Sequence, residues 1–512
     1  MMYTKRLPKA GSANRALHTS ALLFGFFVAL AGCGSDDPDR PQQLPVPASD
    51  VAQVAAYQNV SGAVEYVGDA ACASCHGELV ASYQEHGMAQ AYYPLTEAVR
   101  VEPALAEPVI DPNSGFEYTI VEAEGTLWQE EILRDEKGAV IHRLRRRVDE
   151  VVGSGSAART YLTVENGRRF ELPLTWYTQA EKWDFSPGYR EANIRFSRLV
   201  PDRCMACHNG IPEAVEHVDG LYASVPDGIT CERCHGPGEL HVEERLVSPE
   251  ADGEIDVTIV NPADLPYERR LDVCQQCHLS APGMVLREGR GAFDFMPSEP
   301  LSSHLAVFVR PGGSGANVDV VSHANRMRES ECFLGTLDAN EPLECTTCHN
   351  PHEGFRNAGP AYFNETCQSC HLPAELAEQV PAEARSDHQA GAPCFSCHMP
   401  KVEAADAPHS SFTDHKIRVV RAGEAKAPPP FDREHPLVPY FERDYRNRTG
   451  QAYLGMALVV MGRQSNDQFT LAQGAATLDV ALAEDSTLSA GFFLLGVARQ
   501  ALGELTQAIP AF

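Results

Sequence analysis

The chain has 512 residues, of which 43% are hydrophobic and 22% are charged, and its formal net charge is −28. This hydrophobic content is that of an ordinary globular protein, which excludes a disordered chain and a bundle of membrane-spanning helices. The acidic balance repels nucleic acid, so we expect no nucleic-acid partner; it favours basic partner surfaces or simple solubility.

The first 32 residues are typical of a bacterial lipoprotein signal peptide. A basic start precedes an apolar stretch at 21–31, which is too short to span a membrane as a helix. This stretch ends in Leu30-Ala31-Gly32-Cys33, which matches a lipobox, so we expect cleavage before Cys33 and acylation of that residue. The alternative is an ordinary signal peptide with an unrelated cysteine. Residues 33–64 are rich in Pro, Asp and Gln and predict a flexible tether.

One pentapeptide, Cys-x-x-Cys-His, occurs seven times. Two thiols at this spacing can form thioethers with the two vinyl groups of haem, and the adjacent histidine can bind the iron, as in c-type haem attachment. A zinc site or a disulfide loop is the alternative for a single copy, but zinc sites need paired halves, and these spacings are irregular. We therefore predict seven haem c groups. In chain order, the motifs supply these attachment cysteines and proximal histidines: Cys72, Cys75 and His76; Cys204, Cys207 and His208; Cys231, Cys234 and His235; Cys274, Cys277 and His278; Cys345, Cys348 and His349; Cys367, Cys370 and His371; Cys394, Cys397 and His398.

Residues 65–420 are expected to form a mostly irregular and α-helical cytochrome domain that wraps around the seven haems. Within it, residues 110–175 show the apolar and polar alternation of β-strands. We predict one small antiparallel sheet of about five strands at 116–123, 127–133, 140–148, 159–164 and 168–172. An Asn-Gly turn at 165–167 joins the last two strands, and Val151–Gly155 predicts a break.

After Cys204 the remaining motifs follow at short intervals. The motifs that begin at Cys204 and Cys231 are 27 residues apart, and those that begin at Cys345 and Cys367 are 22 residues apart. Such segments hold little more than one helix and a loop. We therefore expect the two haems of each pair to lie close together.

The C-terminal part differs in character. Residues 421–446 include a Pro-Pro-Pro run and predict a linker. Residues 447–512 predict helices, and the Leu454-Gly455 and Leu495-Gly496 pairs resemble the tetratricopeptide pattern. Because such arrays need about three units, we expect the repeats to be incomplete. The alternative is a plain helical hairpin that covers the haem domain.

The group opposite each motif histidine decides what the bound iron can do. A second His or a Met closes the iron for electron transfer, whereas an open position admits a substrate. Eleven histidines lie outside the motifs and the leader, enough to close all seven sites, and we assign no catalytic residue. Any one of them is otherwise a surface or supporting residue. The candidate distal ligands are His86 or Met88, which compete at the first site, and His217, His241, His323, His352, His388, His409 and His415.

These segments resemble the multihaem c-type cytochrome superfamily. That group includes the tetrahaem cytochrome that accepts electrons from hydroxylamine oxidoreductase, and larger relatives with C-terminal tetratricopeptide repeats. The likeness rests on Cys231–Gly238 with His241, on Cys345–His352, and on Cys394–Pro400 with His409 and His415. The resemblance implies that His241, after the Gly-Pro-Gly turn, and His352, after Asn-Pro, are distal ligands.

The leading interpretation is an exported electron carrier, a lipoprotein of the periplasm or cell surface that docks redox partner proteins on its repeat-like helices. The alternative is an oxidoreductase that acts on a small nitrogen or sulfur compound at one open haem. Every motif ends in His and no Cys-x-x-Cys-Lys variant is present, which favours the carrier. A third interpretation, a binding module whose haems sense redox state, is weakened by the incomplete repeats.

Overall fold

The computed structural model describes residues 57–96, 102–215, 218–249, 255–311, 318–339, 342–373, 392–419, 432–441, 445–483 and 487–511, and the single positions 313, 376, 378, 380, 381, 385 and 388. The predicted signal peptide, Cys33, most of the tether and His217 lie outside the described residues. Within these ranges, no helix combines the length and the apolar character needed to cross a membrane.

Short helices carry the seven motifs. Cysteines three residues apart lie on one face of a helical turn, so each helix presents both thiols in the same direction. Most of these helices end at or next to the motif histidine, whereas the first bends at His76 and continues to Gln84. They are Asp69–Gln84, Asp202–His208, Glu232–His235, Tyr267–His278, Cys345–Cys348, Pro360–Cys370 and Cys394–His398. Among the described residues, three further helices lie between them: Glu239–Val247, His323–Arg328 and Glu331–Thr336.

The β-rich insert forms two antiparallel sheets, which differs from the single sheet that we expected. The chain passes between them after Arg147, because the Val148 amide bonds to Leu127 of one sheet and the Asp149 amide bonds to Leu162 of the other. The first sheet has the order Val109–Ile110, Glu117–Ala123, Thr126–Arg134, Val140–Arg147. The second has the order Tyr92–Pro94, Glu150–Val152, Thr160–Glu165, Arg168–Glu171, Arg198–Leu199.

The predicted break at 151–155 begins later than expected. Val151 and Val152 belong to a strand, and Val151 is completely buried. The strand ends at Gly153, whose φ of 100° suits glycine. Burial of Val151 in the sheet core therefore outweighs the nearby turn residues.

The five-stranded sheet positions the second motif. Leu162 of this sheet and Tyr92 pack in one buried cluster with Met205, which lies between the two cysteines of that motif. Three two-stranded antiparallel sheets also occur among the described residues. They are Leu174–Tyr177 with Lys182–Phe185, Glu213–Ala214 with Tyr222–Ser224, and Lys401–Glu403 with Ser411–Thr413.

The C-terminal helices pack on a three-stranded sheet of Gly283–Leu286, Leu305–Val309 and Val438–Pro439. A Cβ on Gly283 would lie 2.6 Å from the Cβ of Ala457, so glycine is what permits this close approach. Val438–Pro439 falls inside the predicted linker, yet it pairs with the strand at Phe308 and Val309. The helices are Arg448–Gln464, Gln468–Leu482, Ser489–Ala501 and Leu505–Ala508. They share one apolar core with Val285, Ala306 and Phe308 of this sheet.

Candidate haem-binding cavity

All seven motifs open into one continuous cavity. Its volume is about 4260 Å³, and its lining includes all fourteen motif cysteines and all seven motif histidines. Divided among the motifs, this is about 600 Å³ each, within the roughly 300–1,000 Å³ of a single ligand pocket. The cavity is therefore large enough for several bulky cofactors side by side.

Thiols of different motifs meet within the cavity and define which motifs are neighbours. The second and third motifs also meet, because Arg233 donates to the carbonyl oxygen of Ala206 at 3.0 Å. The second and third motifs are therefore neighbours, and so are the fifth and sixth, whose helices Cys345–Cys348 and Pro360–Cys370 pack together. The thiols that interact directly are Cys72 with Cys231, Cys207 with Cys277, Cys274 with Cys345, and Cys367 with Cys394.

Four motif histidines face a second imidazole across a gap. Imidazole nitrogens bind metal ions at about 2.0–2.1 Å, and the ring centre lies about 1.1 Å further, so two imidazoles on opposite sides of one ion have centres about 6.2 Å apart. The observed distances between ring centres are 6.5 Å for His76 and His241, 6.0 Å for His235 and His352, 6.2 Å for His349 and His415, and 6.2 Å for His398 and His388. These residues fit a six-coordinate haem iron.

Three of the four opposing histidines come from distant segments, whereas His388 lies shortly before His398, which it faces. His241 follows the third motif and faces the first, His352 follows the fifth and faces the third, and His415 follows the seventh and faces the fifth. The segment after each of these motifs therefore supplies the histidine that lies opposite another motif.

The other ring nitrogen of several of these histidines is already engaged. The Nδ1 atom lies 2.8 Å from the Val260 carbonyl oxygen in His235, 2.7 Å from that of Arg418 in His398, and 2.9 Å from that of Thr413 in His415. In His241 it lies 3.1 Å from Asp256. An Nδ1–H that donates in this way orients the ring and leaves the Nε2 lone pair for a metal.

His323 lies close to two other histidines, His278 and His415. Its ring centre lies 5.2 Å from that of His278 and 4.7 Å from that of His415. Both distances are shorter than that of an opposed pair, so His323 would have to move outward to face His278 across an iron. Burial lowers the pKa of His278 and of His415 to about 4, which keeps both rings in the neutral, ligating form.

His86 and Met88 both line the cavity, but His86 is turned differently from the ligands above. The amide of Met88 donates to Nδ1 of His86 at 3.0 Å, so in the neutral ring the proton is on Nε2. This tautomer does not offer Nε2 to a metal. The ring of His86 packs on Tyr83.

His409 has other partners. Its Nε2 lies 2.8 Å from a carboxylate oxygen of Asp184, its ring meets Tyr177 edge-on, and it is not among the cavity-lining residues. We therefore do not retain His409 as a distal candidate. Within the described ranges, no second imidazole faces His208 or His371 at ring-contact distance.

Several supporting residues carry no recognisable signal in the sequence. The carbonyl oxygens of Val260 and Arg418 orient ligands through the backbone, which any residue type can do. Arg233 lies between the two cysteines of the third motif, and only the structure shows that its charged side chain is buried. In the part of the chain that the structure describes, no three His, Cys, Asp or Glu side chains come close enough together to hold a metal ion.

Comparison with known proteins gives one structural likeness. No protein-family model matches the chain, and no curated protein matches it. Among solved structures, it is similar to the "Crystal Structure of Outer Cell Wall Cytochrome OcwA", with 15% identity, 87% of this chain and 99% of that chain covered, and a TM-score of 0.43. A likeness at this level carries no argument about function. The evidence for haem binding is therefore the seven motifs and the opposed imidazoles.

Proposed function

We propose that this chain is a heptahaem c-type cytochrome that carries electrons outside the cytoplasm. The observation that supports it most is the single cavity, in which seven attachment motifs contact one another and four of their histidines face a second imidazole. Haem supplies the one-electron chemistry when bound. The chain attaches, orients and encloses the groups and supplies the ligands that close their irons.

The contacts between motifs support a carrier. They form a series from the first motif through the third, fourth, fifth and sixth to the seventh, and the second joins at the third and fourth. Electron transfer along a chain needs neighbouring redox groups in such a continuous arrangement. No proton-transferring residue is needed for it.

The haem count and the spin state test this proposal. Pyridine haemochrome analysis should give seven haems per chain, and low-temperature electron paramagnetic resonance should show chiefly low-spin ferric haem. Replacement of Cys231 and Cys234 with Ser should reduce the count by one, while Cys332→Ser, at the only described cysteine outside the motifs, should leave it at seven. A count clearly below seven in the parent protein contradicts the proposal.

A second function is favoured by one specific observation. Since no described imidazole faces His208 or His371, either site is a candidate for a haem open to a small nitrogen or sulfur compound. A strong high-spin signal that changes on addition of nitrite or hydroxylamine would support this oxidoreductase over the carrier.

Attachment and docking complete the proposal. Acylation at Cys33 would hold the protein at a membrane, so Cys33→Ser should move it from the detergent phase to the aqueous phase. Redox partners are proposed to dock on the C-terminal helices, where Val480 and Phe493 are 77% and 58% exposed. Substitution of both by Glu should slow reduction of the protein by a membrane fraction.

A further inference from the structure

Arg233 is a buried cation at the place where three motifs meet. Its residue is only 4% exposed, and it lines the cavity. One guanidinium nitrogen donates to the carbonyl of Ala206 in the second motif, while Nε is buried without a hydrogen-bond partner among the described residues. No carboxylate in the described part of the chain forms an ion pair with it. Burial of an unpaired charge is costly, so a structural role alone explains this arginine poorly.

The charge of Arg233 reaches thiols in three motifs. Cys277 of the fourth motif lies beside it, because the Cys277 sulfur is 4.0 Å from the same Ala206 carbonyl oxygen that accepts from Arg233. The guanidinium acts electrostatically on Cys277, on Cys207 of the second motif and on Cys234 of the third. Groups attached at the second and fourth motifs would therefore lie near a fixed positive charge. The low-dielectric interior makes such an interaction stronger than it would be at the surface.

Glu232, the residue before Arg233, is negatively charged, and its side chain lies beside the first motif. Glu232 is 5% exposed and accepts hydrogen bonds from the amides of Val67, Gly68 and Gly238 at 2.9, 2.9 and 2.8 Å. These partners hold its carboxylate beside the first motif, where it acts on Cys72. Two neighbouring residues thus present a negative charge to one attachment site and a positive charge to others.

We propose that Glu232 and Arg233 set a step in reduction potential, with the second and fourth sites more oxidising than the first. This inference rests on the proposed function. Each site gains one electron from an external reductant, and no covalent bond forms or breaks. A fixed positive charge stabilises the reduced state and a fixed negative charge opposes it, so electrons pass from the first site toward the fourth.

A redox titration of the full haem-loaded protein, followed by optical and electron paramagnetic resonance spectra, tests this step. Arg233→Gln should move the high-potential part of the curve to lower potential and narrow the range of midpoint potentials. Arg233→Lys keeps the charge and should stay close to the parent curve. Arg134→Gln removes the same charge from an exposed ion pair with Glu117 and should leave the curve unchanged.

A second variant covers the case in which Arg233→Gln does not load haem. Gln276→Glu places a carboxylate in the fourth motif, where Gln276 already donates to the Arg233 carbonyl at 3.2 Å, and should give the same downward shift. Titration curves of Arg233→Gln and Gln276→Glu that coincide with the parent curve, at seven haems per chain, overturn the inference. A low haem count in the parent protein would instead overturn the proposed function.

Discussion

Asp414 and Arg326 form a buried ion pair beside two candidate distal ligands. Arg326 donates to both carboxylate oxygens of Asp414, at 2.8 and 2.6 Å, and the side chains are only 5% and 3% exposed. Asp414 directly precedes His415, and Arg326 lies on the helix that begins at His323. The pair therefore ties the helix of His323 to the segment of His415, whose rings lie 4.7 Å apart.

Asp414→Asn removes the charge that faces Arg326 most closely and turns an amide group toward the guanidinium. Loss of one partner of a buried ion pair costs about 3–5 kcal/mol, because the other charge stays buried. We expect the free energy of unfolding to fall by this amount. We also expect part of the low-spin ferric signal to become high-spin, because His415 loses its support opposite His349.

Guanidinium-induced unfolding, followed by far-UV circular dichroism, measures the first effect, and electron paramagnetic resonance measures the second. Glu299→Gln is the matched control, because Glu299 pairs with Arg290 at 3.0 Å where the two side chains are 33% and 30% exposed. Such a pair contributes about 0–1 kcal/mol. If Asp414→Asn unfolds at the same denaturant concentration as this control and keeps its low-spin signal, the reasoning is wrong.

Three further predictions concern other parts of the chain. His241→Ala should create one high-spin haem in the resonance spectrum, while His409→Ala should not, since His409 is bonded to Asp184. Burial alone would raise the pKa of Glu131, but hydrogen bonds from Arg195 and other donors hold it below its usual range. The stability that Glu131 contributes is therefore present above its unfolded pKa of about 4.3 and is lost as the pH falls through the folded value. In Glu131→Gln, the free energy of unfolding measured by circular dichroism should therefore fall less between neutral and acidic pH than in the parent protein. Gly167→Ala should lower the unfolding free energy by about 1–2 kcal/mol, because its φ is 78°; an unchanged denaturation midpoint would contradict this.

Local features of the fold were predictable from the sequence. The Asn166-Gly167 turn is confirmed, with φ of 53° and 78° between paired strands. The alternation at 116–123 and 127–133 coincides with paired strands, because side chains on one face of a strand repeat every two residues. These signals depend on residues that are neighbours in the chain, and a single sequence contains them in full.

Long-range pairing was not predictable in the same way. The division of the insert into two sheets depends on which distant strand accepts the amide of Asp149. The strand at 438–439 lies in a proline-rich segment and forms only because Phe308 and Val309 offer a free edge. The register of such pairs depends on packing in the folded core, and a short apolar run does not specify which strand it will pair with.

The distal ligands show why the candidate site was only half predictable. A proximal histidine can be recognised from the two cysteines beside it in the sequence. A distal histidine has no such local signal and can be recognised only from its position in the folded chain. His352 and His409 looked alike as candidates, yet one faces His235 and the other bonds to Asp184. Because the histidine that follows the third, fifth or seventh motif lies opposite the odd-numbered motif before it, two segments far apart in the chain must fold together to form each of these pairs. If the pairs bind haem iron as we propose, loss of the group attached at one motif should also disturb the neighbouring site to which that segment supplies its histidine.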